Sequence, residues 1–203
     1  MKLYDTQLAP NPRRVRIFLA EKGIDIPKVQ IDLGKMEQKS ESYSAVNPRK
    51  RTPALELDDG SVISESVAIC RYIEALHPEP NLFGRTAKEI GEIEMWSRRL
   101  EMHLLATIAS AFRHLHPAMV QMEVPQVREW GEVNKGRIVD ELAFLDRQLK
   151  GREFICCDRY TNADLTGLVA IDFLRPTRVT VPDELVDLKR WHAAMAARPG
   201  SVP

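Results

Sequence analysis

The stretch from Arg51 to Ser66, R-T-P-A-L-E-L-D-D-G-S-V-I-S-E-S, constrains the fold more than any other part of the chain. Thr52-Pro53 stands directly before an apolar run, Ala54-Leu55-Glu56-Leu57. Proline is tolerated at the first residue of a strand because no ladder donor is lost there, and an X-Pro bond in such a bend is a candidate for the cis form. Asp58, Asp59 and Gly60 supply the positive-φ positions of a short hairpin loop, so Pro53–Leu57 and Val62–Ser64 are expected to pair antiparallel. Helical spacing follows through Val67, Ala68, Ile69, Tyr72 and Ile73 to His77, which leaves Glu65 and Ser66 where the second strand becomes a helix. At such a start the backbone N–H groups are free and the dipole favours an anion, so Ser66 is placed to help bind one.

Upstream, Lys2–Asp5 reads as a first strand, Thr6–Asn11 as a loop and Pro12–Lys22 as a helix. Asn11 suits the N-cap, Pro12 the first helical position and Gly23 the left-handed residue past the end. Val15, Ile17, Phe18 and Leu19 form the expected buried face. Arg13, Arg14 and Arg16 place positive charge at the wrong end of the helix dipole. A bound anion would explain them, and so would carboxylate partners or a solvated surface. Pro27–Leu33 reads as a second strand, and the polar run Met36–Ser44 as a short irregular helix. The order is strand, helix, strand, then hairpin and helix, with helices covering a small mixed sheet.

Two prolines in Pro78-Glu79-Pro80 interrupt the pattern, so a first domain over 1–78 and a linker over 79–85 are expected, with a second domain over 86–203. That second part reads as all-helical. One amphipathic pattern spans Thr86–Phe112, a second Val124–Leu149 and a last one about Leu185–Ala197. Thr161-Asn162-Ala163-Asp164 is a capping-box start, and Leu165, Leu168, Val169, Ile171 and Phe173 make the following helix apolar on most sides, the mark of a bundle's central helix.

Composition narrows the function. Twenty-nine basic residues balance 29 acidic ones, which gives no electrostatic case for nucleic acid or an anionic membrane. No apolar run reaches spanning length and Met1-Lys2-Leu3-Tyr4 leads straight into a strand, so a cytoplasmic protein is expected. Cys70, Cys156 and Cys157 form neither a C-x-x-C pair nor a zinc-ligand spacing, and no metal is expected.

The ordered set Asn47-Pro48, Pro53-Ala54-Leu55, Asp59-Gly60, Glu65-Ser66-Val67-Ala68-Ile69 and Tyr72-Ile73 resembles the glutathione site of the cytosolic glutathione S-transferases, and T-x-x-D at 161–164 resembles the same family. The resemblance, to the bacterial type with Asn in the catalytic loop, implies an α+β chain. A thioredoxin-like glutathione-binding domain would precede an all-α bundle, in a homodimer concerned with detoxification. Glutathione would be the co-substrate, partnered by a small electrophilic, disulfide or peroxide substrate.

The resemblance also assigns roles. Thr52, held by Pro53, would pair its main chain with the cysteinyl part of glutathione. Ser66 would take the γ-glutamyl carboxylate, Glu65 the α-ammonium and Gln38 the glycyl carboxylate. Where relatives carry a thiolate-binding hydroxyl or thiol, this chain has Ala9, which has no side-chain donor. The Asn11 carboxamide is the nearest remaining donor, with Arg13 close by. Lowering a thiol pKa of about 8.5 by two units needs only about 2.7 kcal/mol of preferential thiolate binding. Asn11 as a mere N-cap is the competing reading. Tyr4 is expected to serve the sheet, and Arg98, Arg99, His103, Arg113, His114 and His116 a solvated face or a substrate cleft. Besides a transferase, the pattern leaves open a glutathione-dependent disulfide reductase or peroxidase, and a non-catalytic glutathione-binding protein.

Overall fold

The structure is a computed structural model that describes residues 1–201. It divides into two compact units, one of Met1–Leu82 joined by the segment from Arg198, the other of Phe83–Ala197.

In the first unit, β1 (Lys2–Asp5) leads to α1 (Pro10–Glu21) and β2 (Lys28–Gln30). Next come α2 (Glu41–Val46), β3 (Ala54–Glu56), β4 (Val62–Ser64) and α3 (Ser66–Leu76). The sheet order is β2-β1-β3-β4, with β1 and β2 parallel and the other pairs antiparallel. Parallel strands need a crossover, and α1 supplies it. Leu3, Ala54 and Leu55 are completely buried, as are Ile17 and Phe18 of α1 and Ile69 and Cys70 of α3. The thioredoxin-like order read from the sequence is therefore present. β2 is shorter than expected because it is an edge strand with all three residues exposed. Single bonds, Leu3 N–H to Pro27 C=O at 2.9 Å and Ile31 N–H to Asp5 C=O at 2.8 Å, extend its pairing.

The start of α1 departs from expectation. The cap is Ala9, Pro10 occupies the first helical position and Asn11 the second. Proline's fixed φ seeds the turn, and Arg13 N–H already reaches Ala9 C=O at 3.2 Å. Asn11 is thus not the N-cap.

The second unit is helical: α4 (Ala87–Arg99), α5 (Ala106–Leu115), α6 (Arg128–Leu149), α7 (Asn162–Asp172) and α8 (Val186–Ala196). A π-helical segment, Leu100–Leu105, joins α4 to α5 within the single long pattern that the sequence shows. α6 starts later than the expected Val124, since the preceding segment caps α5 instead. Gln126 Nε2 donates to the Arg113 and His116 carbonyls at 2.7 and 3.0 Å, and His114 Nδ1 accepts Val127 N–H at 3.0 Å.

Every residue of α7 from Asn162 to Ile171 is buried, as its apolar circumference requires. Gly167 has no side chain because a Cβ there would stand 2.8 Å from both Ile155 and Trp191. The capping box is formed, and Asp164 binds more than the cap. Its two oxygens accept Thr161 N–H at 3.0 Å, Thr161 O–H at 3.2 Å, Ile155 N–H at 2.8 Å and Trp191 Nε1–H at 3.1 Å.

The chain end differs from the sequence-based boundary, which left 198–203 with the helices. Arg198 instead forms a two-pronged pair with Glu21 of α1, at 3.0 and 2.7 Å. Arg13 adds a bond to the Ser201 carbonyl at 3.1 Å. The start of the expected linker also belongs to the first unit, where Leu82 is buried and its N–H meets Glu74 at 2.9 Å.

Burial pushes the Asp164 carboxyl up to about 6 from 3.8 despite these donors. The folded state therefore binds this proton more tightly than the unfolded chain. This group's contribution to stability is greatest below about pH 4 and declines as pH rises through about 6. Asp164→Asn turns an amide N–H₂ toward groups that themselves donate. It should cost about 2–3 kcal/mol in urea unfolding at pH 7, and wild-type stability there would contradict the network.

Candidate functional site

Strand register gathers the residues singled out by sequence. Ala54 pairs with both Tyr4 and Ser64, while Asp5 pairs with Gln30. The β1–α1 loop, Thr52-Pro53, Glu65-Ser66 and the segment after β2 therefore leave the sheet at the same end.

The loop before α1 is held from below. Arg16, 6% exposed, donates Nη1 to Asp5 Oδ1 at 2.6 Å and to the Thr6 carbonyl at 3.2 Å, and Nη2 to the Gln7 carbonyl at 2.8 Å. Asp5 is fully buried, and its second oxygen accepts Gln30 Nε2 at 2.7 Å. Thr6 Oγ1 lies 3.0 Å from the Ile31 carbonyl and 3.1 Å from Thr52 Oγ1. Its hydroxyl is committed within the protein.

Very few donors are left open where α1 begins. Ala9 N–H points to Thr6 C=O at 3.4 Å, and Pro10 and Pro12 have no N–H. Ala9 provides no side-chain cap. The main-chain N–H of Asn11 consequently remains open, beside an exposed carboxamide that makes no hydrogen bond among the described residues. The arginines do not leave a free positive patch for an anion. Arg13 donates to Ser201 and Arg16 to Asp5, while the completely buried Arg14 donates Nη1 to Ser66 Oγ at 2.9 Å.

Across the sheet end, the Thr52-Pro53 bond is cis. The preceding Arg51 carbonyl is fixed by Tyr43 O–H at 2.6 Å and Asn47 Nδ2 at 2.7 Å. Burial pushes the Tyr43 phenol up to about 12, so it stays a donor. Among the described residues, Thr52 makes no main-chain hydrogen bond. Glu65 is exposed and adopts φ 69°, ψ 118°, an unfavourable conformation for a residue with a Cβ. It directly precedes α3, whose first residue Ser66 is 5% exposed. Gln38, which the resemblance assigns to the glycyl carboxylate, is also only 5% exposed, with Nε2 3.6 Å from Met36 Sδ.

Tyr4 serves the sheet: its hydroxyl donates to Glu56 at 2.8 Å and its ring meets Tyr43 edge-on. Within the helical unit, His116 Nδ1 accepts Ala118 N–H at 3.2 Å and Arg98 pairs with Glu94 and Glu101. His103 is exposed. Arg99 lies 5.1 Å from the Trp96 ring and lines a cavity of about 640 Å³ with Arg152 and Cys157. Burial raises all three cysteine thiols, Cys70 and Cys156 to about 12. None is disposed to act as a nucleophile. No group of three or more His, Cys, Asp or Glu among the described residues could hold a metal, and no helix there is long and apolar enough to cross a membrane.

A family profile described as glutathione S-transferase, N-terminal domain, matches residues 9–76, and one described as glutathione S-transferase, C-terminal domain, matches 105–199. Glutathione S-transferase 2 of Saccharomyces cerevisiae is 36% identical over 202 residues, covering 98% of this chain and 87% of that protein. The chain belongs to the glutathione S-transferase family. Similar solved structures include a glutathione S-transferase domain-containing protein of Marinobacter aquaeolei (TM-score 0.95, 36% identity, all of both chains). Gtt2 of S. cerevisiae has TM-score 0.94 and 36% identity, covering 99% of this chain and 98% of that one. Glutathione S-transferase GstA of Escherichia coli is 30% identical over 184 residues, 90% of this chain and 87% of that protein.

Sequence reasoning about this glutathione S-transferase missed Arg14, Arg16, Tyr43 and the Asn47 amide as the groups that hold the loops. For Arg14 a signal existed, since it shares the i, i+3, i+4 face of Ile17 and Phe18. The backbone of Glu65 gives a stability test. Glu65→Gly releases strain of about 1–3 kcal/mol against a glycine entropy cost of about 0.5–1 kcal/mol. It should raise the melting temperature, and a lower one would show that the conformation is not strained.

Proposed function

We propose that this chain is a glutathione transferase that binds glutathione along the open mouth of β3 and holds its sulfur as a thiolate at the start of α1. Thr52 carries the reading. A main-chain N–H and C=O without hydrogen bonds among the described residues, at a strand mouth fixed by Tyr43 and Asn47, are what an extended peptide needs for two-bond pairing. Glutathione is such a peptide, and its cysteinyl residue fits this role.

The ends of the ligand follow. The α-ammonium meets the exposed Glu65 carboxylate, and the γ-glutamyl carboxylate meets Ser66 and the free N–H groups opening α3. Arg14 is a donor only, so the Ser66 oxygen it reaches keeps its own proton for the ligand. Gln38 would contact the glycyl carboxylate after turning outward. The sulfur lies toward Asn11, whose N–H and carboxamide replace the hydroxyl missing at Ala9. Arg13, engaged with Ser201, is a lesser contributor. The thiolate then attacks an electrophilic carbon of a small substrate, forming an S–C bond as the leaving group departs with its electron pair. Protein groups contribute positioning and charge stabilisation, with no metal. The setting we infer is a cytoplasmic homodimer in a detoxifying role, its isologous contact testable by sedimentation.

Ser66→Ala and Glu65→Ala should each weaken glutathione binding by about 1.5–3 kcal/mol in calorimetry. Unchanged affinity in both would overturn the site. Asn11→Ala should cut the conjugation rate, and Asn11→Asp should cut it further by setting a carboxylate against the thiolate. Because Asn11 caps nothing, full activity in Asn11→Asp would remove it from the mechanism.

A further inference from the structure

The thiolate-binding loop and Thr52 belong to separate chain segments, yet on the reading above they hold two ends of one cysteinyl residue. Thr52 fixes the ligand backbone, and the loop fixes the donors for its sulfur. A donor misplaced by about 1 Å loses most of its value to a developing charge, so something must set the register between the segments.

We propose that Arg16 is the positioning residue that sets this register, through Thr6. Its planar guanidinium, buried at 6% exposure, holds the Asp5 carboxylate and two consecutive carbonyls, Thr6 and Gln7, with two nitrogens. Thr6 then passes the constraint on, because its hydroxyl is within 3.1 Å of Thr52 Oγ1 and 3.0 Å of the Ile31 carbonyl. The clamp thus joins the loop preceding Ala9 to the segment that binds the ligand backbone. Arg16 touches neither sulfur nor substrate in this scheme. Lysine, a single charged nitrogen, keeps the charge beside Asp5 but cannot span both carbonyls.

The inference rests on the glutathione-site reading, and its test separates the two. The thiol pKa of bound glutathione would be measured by thiolate absorbance in wild type, Arg16→Lys, Thr6→Val and the double variant. Affinity for S-methylglutathione, which has no ionisable thiol, would be measured by calorimetry. The thiol pKa should rise by about one unit, a tenfold loss of thiolate, in each single variant. It should rise no further in the double variant, because the two residues act in series. S-methylglutathione affinity should stay within about twofold of wild type. An unchanged thiol pKa, or an affinity loss that tracks the pKa rise, would reduce Arg16 to a purely structural role and overturn the inference. Wild-type protein that binds neither ligand would overturn the site reading and the inference together. Should Arg16→Lys fail to fold, Thr6→Val leaves the Asp5 pair intact and decides the question alone.

Discussion

The buried Arg16–Asp5 pair is the interaction on which the first unit's working end depends. Removing one partner of such a pair costs about 3–5 kcal/mol because the other is left buried and charged. Here the pair is worth retaining because neither member serves only the other. Asp5 also accepts from Gln30 of β2, and Arg16 also donates to the carbonyls of the loop. One electrostatic contact therefore ties the edge strand, the central strand, the first helix and the loop between them into a single piece. An apolar replacement of equal volume would fill the space and leave the loop carbonyls without donors.

Asp164 does the corresponding work in the helical unit. Its carboxylate gathers the start of α7, the Ile155 backbone and the Trp191 indole of α8. In both units a buried acid at an element boundary satisfies groups from separate chain segments, two for Asp5 and three for Asp164. The loops at the end of the sheet are thereby free to keep open groups at Thr52, Glu65 and Asn11, where the fold itself has no use for them.

Much of this was legible in the sequence where a local rule decides the structure. Asp59-Gly60 specified the hairpin, T-x-x-D the start of α7, and its apolar circumference the complete burial of that helix. The readings that failed required knowledge of long-range partners or of competing caps. Asn11 is a better N-cap than Ala9 on propensity, but Pro10 starts the helix two positions too early for it. The arginines of α1 stay undecided in sequence between an anion, carboxylate partners and solvent because the groups they meet, Asp5, Ser66 and Ser201, lie 11, 52 and 188 residues away. The chain end read as helical-unit residues because its attachment is to Glu21. The left-handed φ of Glu65 has no signal in residue type at all, since glycine or asparagine would be the expected occupant. On the proposed reading, a ligand ammonium that meets a carboxylate at that position accounts for tolerating the strain.

Ala9 leaves the central question on the sulfur. On the proposed reading, Asn11 and the α1 start, with Arg13 as a lesser contributor, lower the thiol pKa in place of a hydroxyl; the alternative is passive binding of glutathione. Ultraviolet titration of the wild-type complex with glutathione decides between these. The account predicts thiolate absorbance rising with a midpoint about two units below the ordinary thiol value near 8.5. A bound thiol that titrates at its ordinary value would contradict it.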